Sequence, residues 1–441
     1  MKENKSGGTA IGIRSFLTAI GVIFVLMVLT YLLTLIIPGG HIPFWKWAAS
    51  PFLVLGSEGS GSLIAVIAFL LVIGGIFNSL DQCGLMKYML DRTVHRFGRV
   101  RYRLMAIILL FFMGMGTMIG SFEECVPLVP IVVALAVNLG WDALTGVAMS
   151  LLAAGCGFAA GVCNPFTVGV AQQLAGLPVF SGAGMRLVAF VLIYTLLFLF
   201  VRLYAKKIER PLEDTEQVVF CRQPQMDRGL VCFVAILGTG ILTVLCSGFI
   251  PALQDLTMII VAVMFLLAGI VATLVSGMKP GKLGQTSLQG VLNILPAVLM
   301  ILMASSIKYT LEEAQVLNTI LDGAVGVAQT LPNWVVILFI YLIVLVMNFF
   351  IPSGSAKAFM LIPLIVPLAA RFGISAQLCV MAFAFGDGFS NVFYPTNPAL
   401  LISLGLAKVS YGQWAKWSWK FQLGNLVLTS LLLLLGLAVG Y

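Results

Sequence analysis

The sequence predicts an all-α polytopic membrane protein made of two inverted-topology repeats, each with a re-entrant hairpin and a broken transmembrane helix, plus a linking span. Three observations predict this fold. Of the 441 residues, 60% are hydrophobic and only 10% are charged, and the mean hydropathy is +1.07, whereas soluble domains carry about 25% charged residues. Many apolar runs reach the ~20 residues that cross a bilayer. An Asn-Pro pair interrupts two of these segments, at Asn164-Pro165 and at Asn397-Pro398.

Each Asn-Pro pair should end a helix within the membrane. Pro165 has no amide hydrogen and clashes with the preceding turn, and the residue before a proline is pushed out of the α region. Bare backbone in hydrocarbon is costly, so a broken helix persists there only inside protein or beside a polar cavity. We therefore expect the two breaks to line one binding site.

The two breaks belong to an internal repeat. Sliding the chain by 233 residues aligns 120–176 with 353–409 without a gap, and it matches both Asn-Pro pairs, Pro130 with Pro363 and Gly155 with Gly388. The loop 81–103 is strongly basic and should be cytoplasmic. Its equivalent, 308–332, has one lysine and three acids and should lie outside. The repeats are therefore predicted to be inverted, an arrangement that places transporter binding sites near the midplane at broken helices.

The chain divides into a first repeat at 1–203, a cytoplasmic loop with a linking span at 204–249, and a second repeat at 250–441. The predicted hairpins cover 104–140 and 333–372, and the predicted broken helices cover 143–176 and 376–405. A basic, tryptophan-rich loop at 408–420 suits the cytoplasmic interface. Lys2, Lys5 and Arg14 precede the first span and predict a cytoplasmic N-terminus in the cell inner membrane.

The first hairpin has an alternative. Its apolar arms, about 104–119 and 125–139, are each short for a full crossing. If both crossed, Glu123 and Glu124 between them would lie at the outer surface. If the arms form a re-entrant hairpin, which we favour, the acidic pair lies near mid-membrane.

Several function classes are disfavoured. The net charge of +8 arises mainly from short loops between spans, as the positive-inside rule expects, and does not indicate nucleic acid. The only histidines, His41 and His95, fall in loops, and no span holds a nucleophile–base pair, so we expect no enzyme. No Gly-x-x-x-x-Gly-Lys-Ser/Thr motif occurs, so ATP should not drive the protein directly.

Charged residues inside the apolar segments are candidates for substrate binding, because a charge at membrane depth needs a partner. Glu123 or Glu124 could pair with a substrate ammonium, with Na⁺ or with H⁺. Lys357 could meet a substrate carboxylate, or form a structural ion pair with Glu124 or Asp387. Asp387 could bind an ion or substrate, or cap a helix. Arg186 opens a span and should snorkel to the outer interface.

Polar residues at the breaks complete the candidate site. Asn164, Thr167, Thr396 and Asn397 offer oxygens and amide hydrogens to a small ligand. Half-helix N-termini add positive partial charge that suits a carboxylate. The alternative is that these side chains only satisfy the broken backbone.

Three motifs resemble the DcuC-like family of C4-dicarboxylate and related carriers, particularly its YfcC/ArcD-like branch of basic amino-acid antiporters. They are Gly-Ser-Phe-Glu-Glu at 120–124, Gly-Val-Cys-Asn-Pro-Phe-Thr-Val-Gly-Val-Ala-Gln at 161–172, and Pro-Ser-Gly-Ser-Ala-Lys-Ala at 352–358. The resemblance implies membership of the wider ion-transporter superfamily, a homodimer and an elevator-like movement against a scaffold.

The resemblance also implies two Na⁺ sites. One would use Ser121 with Asn164 and Thr167, and the other would use Ser353, Ser355, Thr396 and Asn397. The first break departs from the superfamily pattern, because it reads Cys-Asn-Pro where a Ser-Asn-Thr string is expected.

Together these observations predict a secondary active transporter of a small carboxylate-bearing metabolite. An amino acid, including a basic one, is favoured because the hairpin tips offer carboxylates on one side and an ammonium on the other. A C4-dicarboxylate or short-chain organic acid carrier is the alternative, and a channel is less expected. We expect no cofactor beyond Na⁺ or H⁺ as a coupling ion.

Overall fold

The computed structural model describes residues 13–37, 40–57, 60–97, 100–119, 122–178, 180–210, 222–247, 257–316, 319, 323, 326–327 and 331–441. This part of the chain is helical and contains no strand. Five of its helices are long and apolar enough to cross a membrane, or six if the bent helix Pro280–Glu313 is counted as one span. The all-α fold predicted from the apolar runs is thereby confirmed.

The helices are numbered in chain order. The first half contains α1 (Ile13–Ile36), α2 (Ser60–Gln82), α3 (Leu85–Phe97), α4 (Arg101–Ile119), α5 (Val129–Asn138), α6 (Ala143–Ala160), α7 (Val170–Leu174) and α8 (Ala183–Ile208). The second half contains α9 (Pro224–Ser247), α10 (Thr257–Val275), α11 (Pro280–Glu313), α12 (Asn333–Phe350), α13 (Gly354–Ala370), α14 (Ala376–Gly388), α15 (Pro398–Leu406) and α16 (Tyr411–Val439).

The first break lies between α6 and α7. Helix α6 contains a π-helical turn at Ala148–Leu152 and ends at Ala160, because Gly161 turns the chain into the left-handed region at φ 51°. After the open stretch 162–164, the chain resumes as a π-helical turn, Pro165–Gly169, which leads into α7. The helix therefore breaks where the glycine and the Asn-Pro pair predict.

The second break lies between α14 and α15. Helix α14 ends at Gly388, and a 3₁₀ turn at Ser390–Val392 follows. Asn397 is the N-cap of α15, where its side-chain oxygen accepts hydrogen bonds from the amides of Ala399 at 2.9 Å and Leu400 at 3.4 Å. Pro398 occupies the first helical position, where its missing amide hydrogen costs nothing.

The two predicted hairpins place their tips at the breaks of opposite halves. A 3₁₀ segment, Glu123–Leu128, joins α4 to α5 and contacts α15. The turn at 351–353 joins α12 to α13, and α13 contacts α7. One arm of each hairpin, α4 in the first and α12 in the second, is long enough to cross a membrane, whereas α5 and α13 are shorter. The re-entrant hairpins and the inverted orientation therefore remain predictions, as do the domain boundaries.

A separate apolar cluster lies outside the hairpins and broken helices. It joins α2, α3, α9 and α10 around Phe77, Phe233 and Phe265. Helix α2 also packs closely on α11, where a Cβ atom on Gly290 would come within 2.2 Å of the carbonyl oxygen of Gly74. Asn78 strengthens this contact by donating from Nδ2 to the carbonyl of Thr286 at 2.7 Å.

Two expectations were wrong. The tryptophan-rich segment 408–420 is not a loop, because from Tyr411 onward it forms the start of α16, and Trp414 is fully buried and donates to the carbonyl of Val392 at 2.8 Å. Arg186 does not snorkel to the interface, because its side chain is also fully buried. In both cases packing against a break overrides the preference of an amphipathic side chain for the membrane surface.

Candidate functional site

A buried ion pair lies at the tip of the second hairpin. Lys357, in the first turn of α13, and Asp387, in the last turn of α14, both have 0% of their side chains exposed. Their Nζ and Oδ1 atoms are 2.6 Å apart. Lys357 also donates to the carbonyl of Ile351 at 3.2 Å and to the side-chain oxygen of Asn348. Of the two ion-pair alternatives open to Lys357, the structure forms the one with Asp387.

Asn348 links this pair to the second break. Its Nδ2 atom lies within hydrogen-bonding distance of the Asp387 carbonyl at 3.1 Å, Ser390 Oγ at 2.6 Å and Asn391 Oδ1 at 3.0 Å. Asn397 Nδ2 donates to the same Asn391 oxygen at 3.0 Å. A chain of polar contacts therefore runs from the hairpin tip to the N-cap of α15.

Gly354 brings the first break to the same place. A Cβ atom on Gly354 would lie 2.3 Å from Thr167 Cγ2 and 2.5 Å from Asp387 Oδ2. Any side chain there would force the hairpin tip away from both. The tip therefore sits between a residue of the first break and the carboxylate beside the second break.

Three buried polar atoms at this tip and in the two breaks have no hydrogen-bond partner among the described residues. They are Asp387 Oδ2, Thr167 Oγ1 and Thr396 Oγ1. The Asn391 side chain faces the Asp387 carboxylate as well, but no described donor meets Oδ2 in hydrogen-bond geometry. Buried polar groups of this kind are costly unless a ligand or water supplies the missing bond.

The other predicted residues fall into three groups. Asn164 and Asn397 are buried, and each uses its side-chain oxygen on backbone amides, with Asn164 Oδ1 accepting from Thr167 N at 3.1 Å. Ser353 is exposed and Ser355 is half-buried. Ser121 and the side chains of Glu123 and Glu124 lie outside the described residues. The structure thus brings Lys357, Asp387 and Thr167 together, but not Ser353.

Arg186 is the residue whose position sequence reasoning missed. It lies in the first turn of α8, and its Nη2 atom donates to the carbonyl of Val162, in the first break, at 3.3 Å. Nothing in its local sequence distinguishes it from an arginine at a membrane surface. Only the tertiary contact with the break reveals a second buried cation.

Comparison with known proteins decides the family. The sequence model of the DcuC family, C4-dicarboxylate anaerobic carrier, matches residues 51–438. The chain belongs to this family. The resemblance in the hairpin and break motifs is thereby confirmed, and the protein is a membrane transporter.

Individual relatives of this DcuC-family chain are similar over most of its length. It is 33% identical over 379 residues to the Escherichia coli (strain K12) protein named "Putative basic amino acid antiporter YfcC", covering 81% of this chain and 74% of that one. It is 26% identical over 372 residues to an uncharacterized Haemophilus influenzae protein, covering 81% and 72%.

Two solved transporter structures are more distant. The YdaH transporter of Alcanivorax borkumensis shares 18% identity and a TM-score of 0.47, with 97% of this chain and 99% of that one covered. MtrF of Neisseria gonorrhoeae, from a class of antimetabolite efflux pumps, shares 16% identity and a TM-score of 0.45, with 94% of each chain covered.

In a DcuC-family transporter, this arrangement provides an ammonium and a carboxylate that already satisfy each other. A ligand carrying both charges can replace each partner without leaving either charge unpaired. That matters because removing one partner of a buried pair is far more costly than exchanging it.

Proposed function

We propose that this protein is a secondary active transporter of a small carboxylate-bearing metabolite, with amino acids, basic ones included, as the favoured class. The buried Lys357–Asp387 pair, with Asp387 Oδ2 left without a partner, is the observation that carries the proposal. The substrate carboxylate binds Lys357 and its ammonium binds Asp387. Thr167 and Thr396 supply hydrogen bonds from the two breaks, and Glu123 or Glu124 takes a further positive charge on a basic substrate.

Transport is proposed to follow an elevator-like movement, by exchange or coupled to Na⁺ or H⁺. The contacts of each hairpin tip with the opposite half support two inverted repeats around a shared site. The separate apolar cluster of α2, α3, α9 and α10 supports a scaffold distinct from the moving hairpins and broken helices. We place the transporter in the inner membrane as a homodimer with a cytoplasmic N-terminus.

A carrier of C4-dicarboxylates or short-chain acids is the second candidate. One observation favours it: Arg186 adds a second buried cation, which the sequence alone did not place in the core. Two buried cations, of which only Lys357 has a carboxylate of the described residues within 4.0 Å, would suit a substrate with two carboxylates. The description of the DcuC family names C4-dicarboxylates, whereas the name of the Escherichia coli relative refers to basic amino acids.

Counterflow in proteoliposomes tests the proposal. Vesicles are preloaded with one unlabelled solute, and uptake of labelled arginine, lysine, neutral amino acids and dicarboxylates is followed with and without a Na⁺ gradient. Uptake of an amino acid that depends on its internal counterpart or on the gradient supports the proposal. Uptake of dicarboxylates alone favours the second candidate, and single-channel currents would replace both with a channel.

Glu124→Gln should abolish exchange of a basic substrate while the protein still inserts, because Glu124 aligns with Lys357 at the 233-residue shift and is the favoured acid of the first hairpin tip. Glu312→Gln is the matched control, since Glu312 is exposed and, within the described part of the chain, forms an ion pair only with Lys308, at 3.4 Å, near the end of α11. Normal counterflow by the Glu124 variant would remove that residue from the site.

A further inference from the structure

Arg186 carries a buried charge that no acid among the described residues balances. The side chain is fully buried, and no described carboxylate lies within 4.0 Å of its guanidinium. Its described hydrogen bonds are two long ones, both 3.3 Å, from Nη2 to the Val162 carbonyl and from Nη1 to the hydroxyl of Tyr441. Nε has no partner. An uncompensated cation in such surroundings needs a source of negative potential.

The first break supplies that potential. The end of α6 leaves carbonyl groups without helical partners, and the end of a helix carries negative partial charge. Two amides of the break are already satisfied, because Val162 N donates to Thr117 Oγ1 at 2.8 Å and Cys163 N donates to the Thr117 carbonyl at 3.2 Å. The Val162 carbonyl is a hydrogen-bond acceptor in this stretch, and Arg186 donates to it.

At the second break, neutral side chains donate hydrogen bonds to the carbonyl groups. Its carbonyls at Phe389, Val392 and Phe393 accept from Gln422, Trp414 and Tyr411, at 3.3, 2.8 and 3.1 Å. All three donors are neutral and lie on α16, the helix that follows the second break as α8 follows the first. Arg186 and Trp414 each lie in the first turn of the helix that follows a break, so the position that holds an arginine after the first break holds a neutral tryptophan after the second. The nearby cation Lys357 is balanced by Asp387. Only the first break, among the described residues, has an unbalanced cation held by the protein.

Unwound carbonyls and half-helix C-terminal ends are the places where transporters coordinate a coupling cation. We propose that Arg186 is a tethered cation at the first break, which takes the place of a mobile coupling ion there. A Na⁺ ion at the Val162 carbonyl would meet the guanidinium's like charge. Any cation coupling then uses the second break alone. The Cys-Asn-Pro string of the first break fits this assignment, because it lacks the hydroxyl that a Ser-Asn-Thr string would add.

The proposal rests on the proposed function only in assuming that the breaks belong to the transport site, and its test needs no substrate. Cys163 is half-buried and follows Val162, so its labelling by N-ethylmaleimide reports on the first break. Labelling rates are measured by peptide mass spectrometry in Na⁺ and in choline at equal ionic strength. Cys83 and Cys232, also half-buried but outside the break, are internal references.

Na⁺ should not change Cys163 labelling in the wild type or in Arg186→Lys, which keeps the charge. In Arg186→Gln, Na⁺ at ten times its Kd should slow labelling of Cys163 about tenfold. The site is then about nine-tenths occupied, and only the roughly one-tenth of molecules without Na⁺ can be labelled. The same variant should show a lower Tm in choline and a Na⁺-dependent recovery.

Protection of Cys163 by Na⁺ in the wild type would overturn the proposal, and so would a folded Arg186→Gln variant that is insensitive to Na⁺. The wild-type and Arg186→Lys arms remain decisive if Arg186→Gln does not fold. Failure of counterflow with any carboxylate would refute the proposed function while leaving these labelling results intact.

Discussion

At the scale of single residues, the proposed function depends on the fully buried Lys357–Asp387 ion pair. A buried pair contributes little net stability compared with apolar residues of similar size, but breaking it by removing one partner is strongly destabilising. Stability alone therefore gives little reason to keep the pair, which agrees with the proposed role in binding.

Lys357→Met should lower the free energy of unfolding by about 3–5 kcal/mol, because Asp387 would be left buried without its counter-ion. The double variant Lys357→Met/Asp387→Asn should recover much of that loss but still fail in counterflow. Thermal unfolding in detergent and counterflow measure the two effects. Lys308→Met is the control and should cost less than about 1 kcal/mol, since its pair with Glu312 is partly exposed. Transport by the double variant would show that the pair is only structural.

At the scale of elements, the second hairpin depends on a close approach of its backbone. Gly354 leaves no room for a methyl group between Thr167 and Asp387. The hairpin tip, the first break and α14 are thus fitted to one another at a single position.

Gly354→Ala should displace the tip and abolish counterflow, with a loss of stability of about 1–3 kcal/mol from overpacking. Gly281→Ala is a matched control, because Gly281 also lies in the first turn of a helix and a Cβ atom there would meet nothing within 4 Å. Equal transport by both variants would contradict the close fit.

A second element-scale contact joins α3 to the start of α9. Asp227 receives the Tyr88 hydroxyl at 2.7 Å and pairs with Arg92 and Arg222. The Arg222 side chain, followed by the Tyr88 hydroxyl, holds the pKa of Asp227 below its usual range. Because the folded-state pKa is depressed, the cluster stabilises the fold above the unfolded pKa of about 3.9 and loses its effect as pH falls through the folded value.

Asp227→Asn should therefore lower the Tm at pH 7, and the gap to the wild type should close as the pH drops below about 4. Asp91→Asn is the control, because Asp91 is an exposed residue of α3, the helix that carries Tyr88 and Arg92. This variant should leave the Tm unchanged at both pH values. A gap that persists in acid would mean that the aspartate acts through packing rather than charge.

At the scale of the whole molecule, the proposed scaffold should tolerate internal cross-links. Lys46, in the short helix Phe44–Ala48, binds Glu313 at the end of α11. Joining Lys46→Cys to Glu313→Cys with a short thiol cross-linker should leave counterflow intact, because α11 packs on α2 of the proposed scaffold and we assign both ends of the cross-link to that scaffold. The control is the same cross-linked variant after its cross-link has been cleaved by reduction. Loss of transport on cross-linking would show that these two residues must move relative to each other during transport.

The sequence predicted those parts of the molecule that local chemistry determines. Gly161, Pro165 and Pro398 act on their own backbone, so both breaks could be placed within a few residues. Asp387 was recognised as one of two partners for Lys357, but the choice depends on how α13 and α14 pack. The burial of Arg186 and Trp414 could not be predicted, because each contacts a break that lies more than twenty residues away along the chain.

The same ion pair has a consequence for how the chain is made. Lys357 opens an apolar helix, and its partner Asp387 comes 30 residues later. Because protein synthesis adds about 5–20 residues per second, roughly 1.5–6 s pass between the synthesis of Lys357 and that of its counter-ion. A charge near the bilayer centre costs ~2.5–3.5 kcal/mol on insertion. Helix α13 should therefore enter the bilayer late and together with α14, as a pair of helices rather than one at a time.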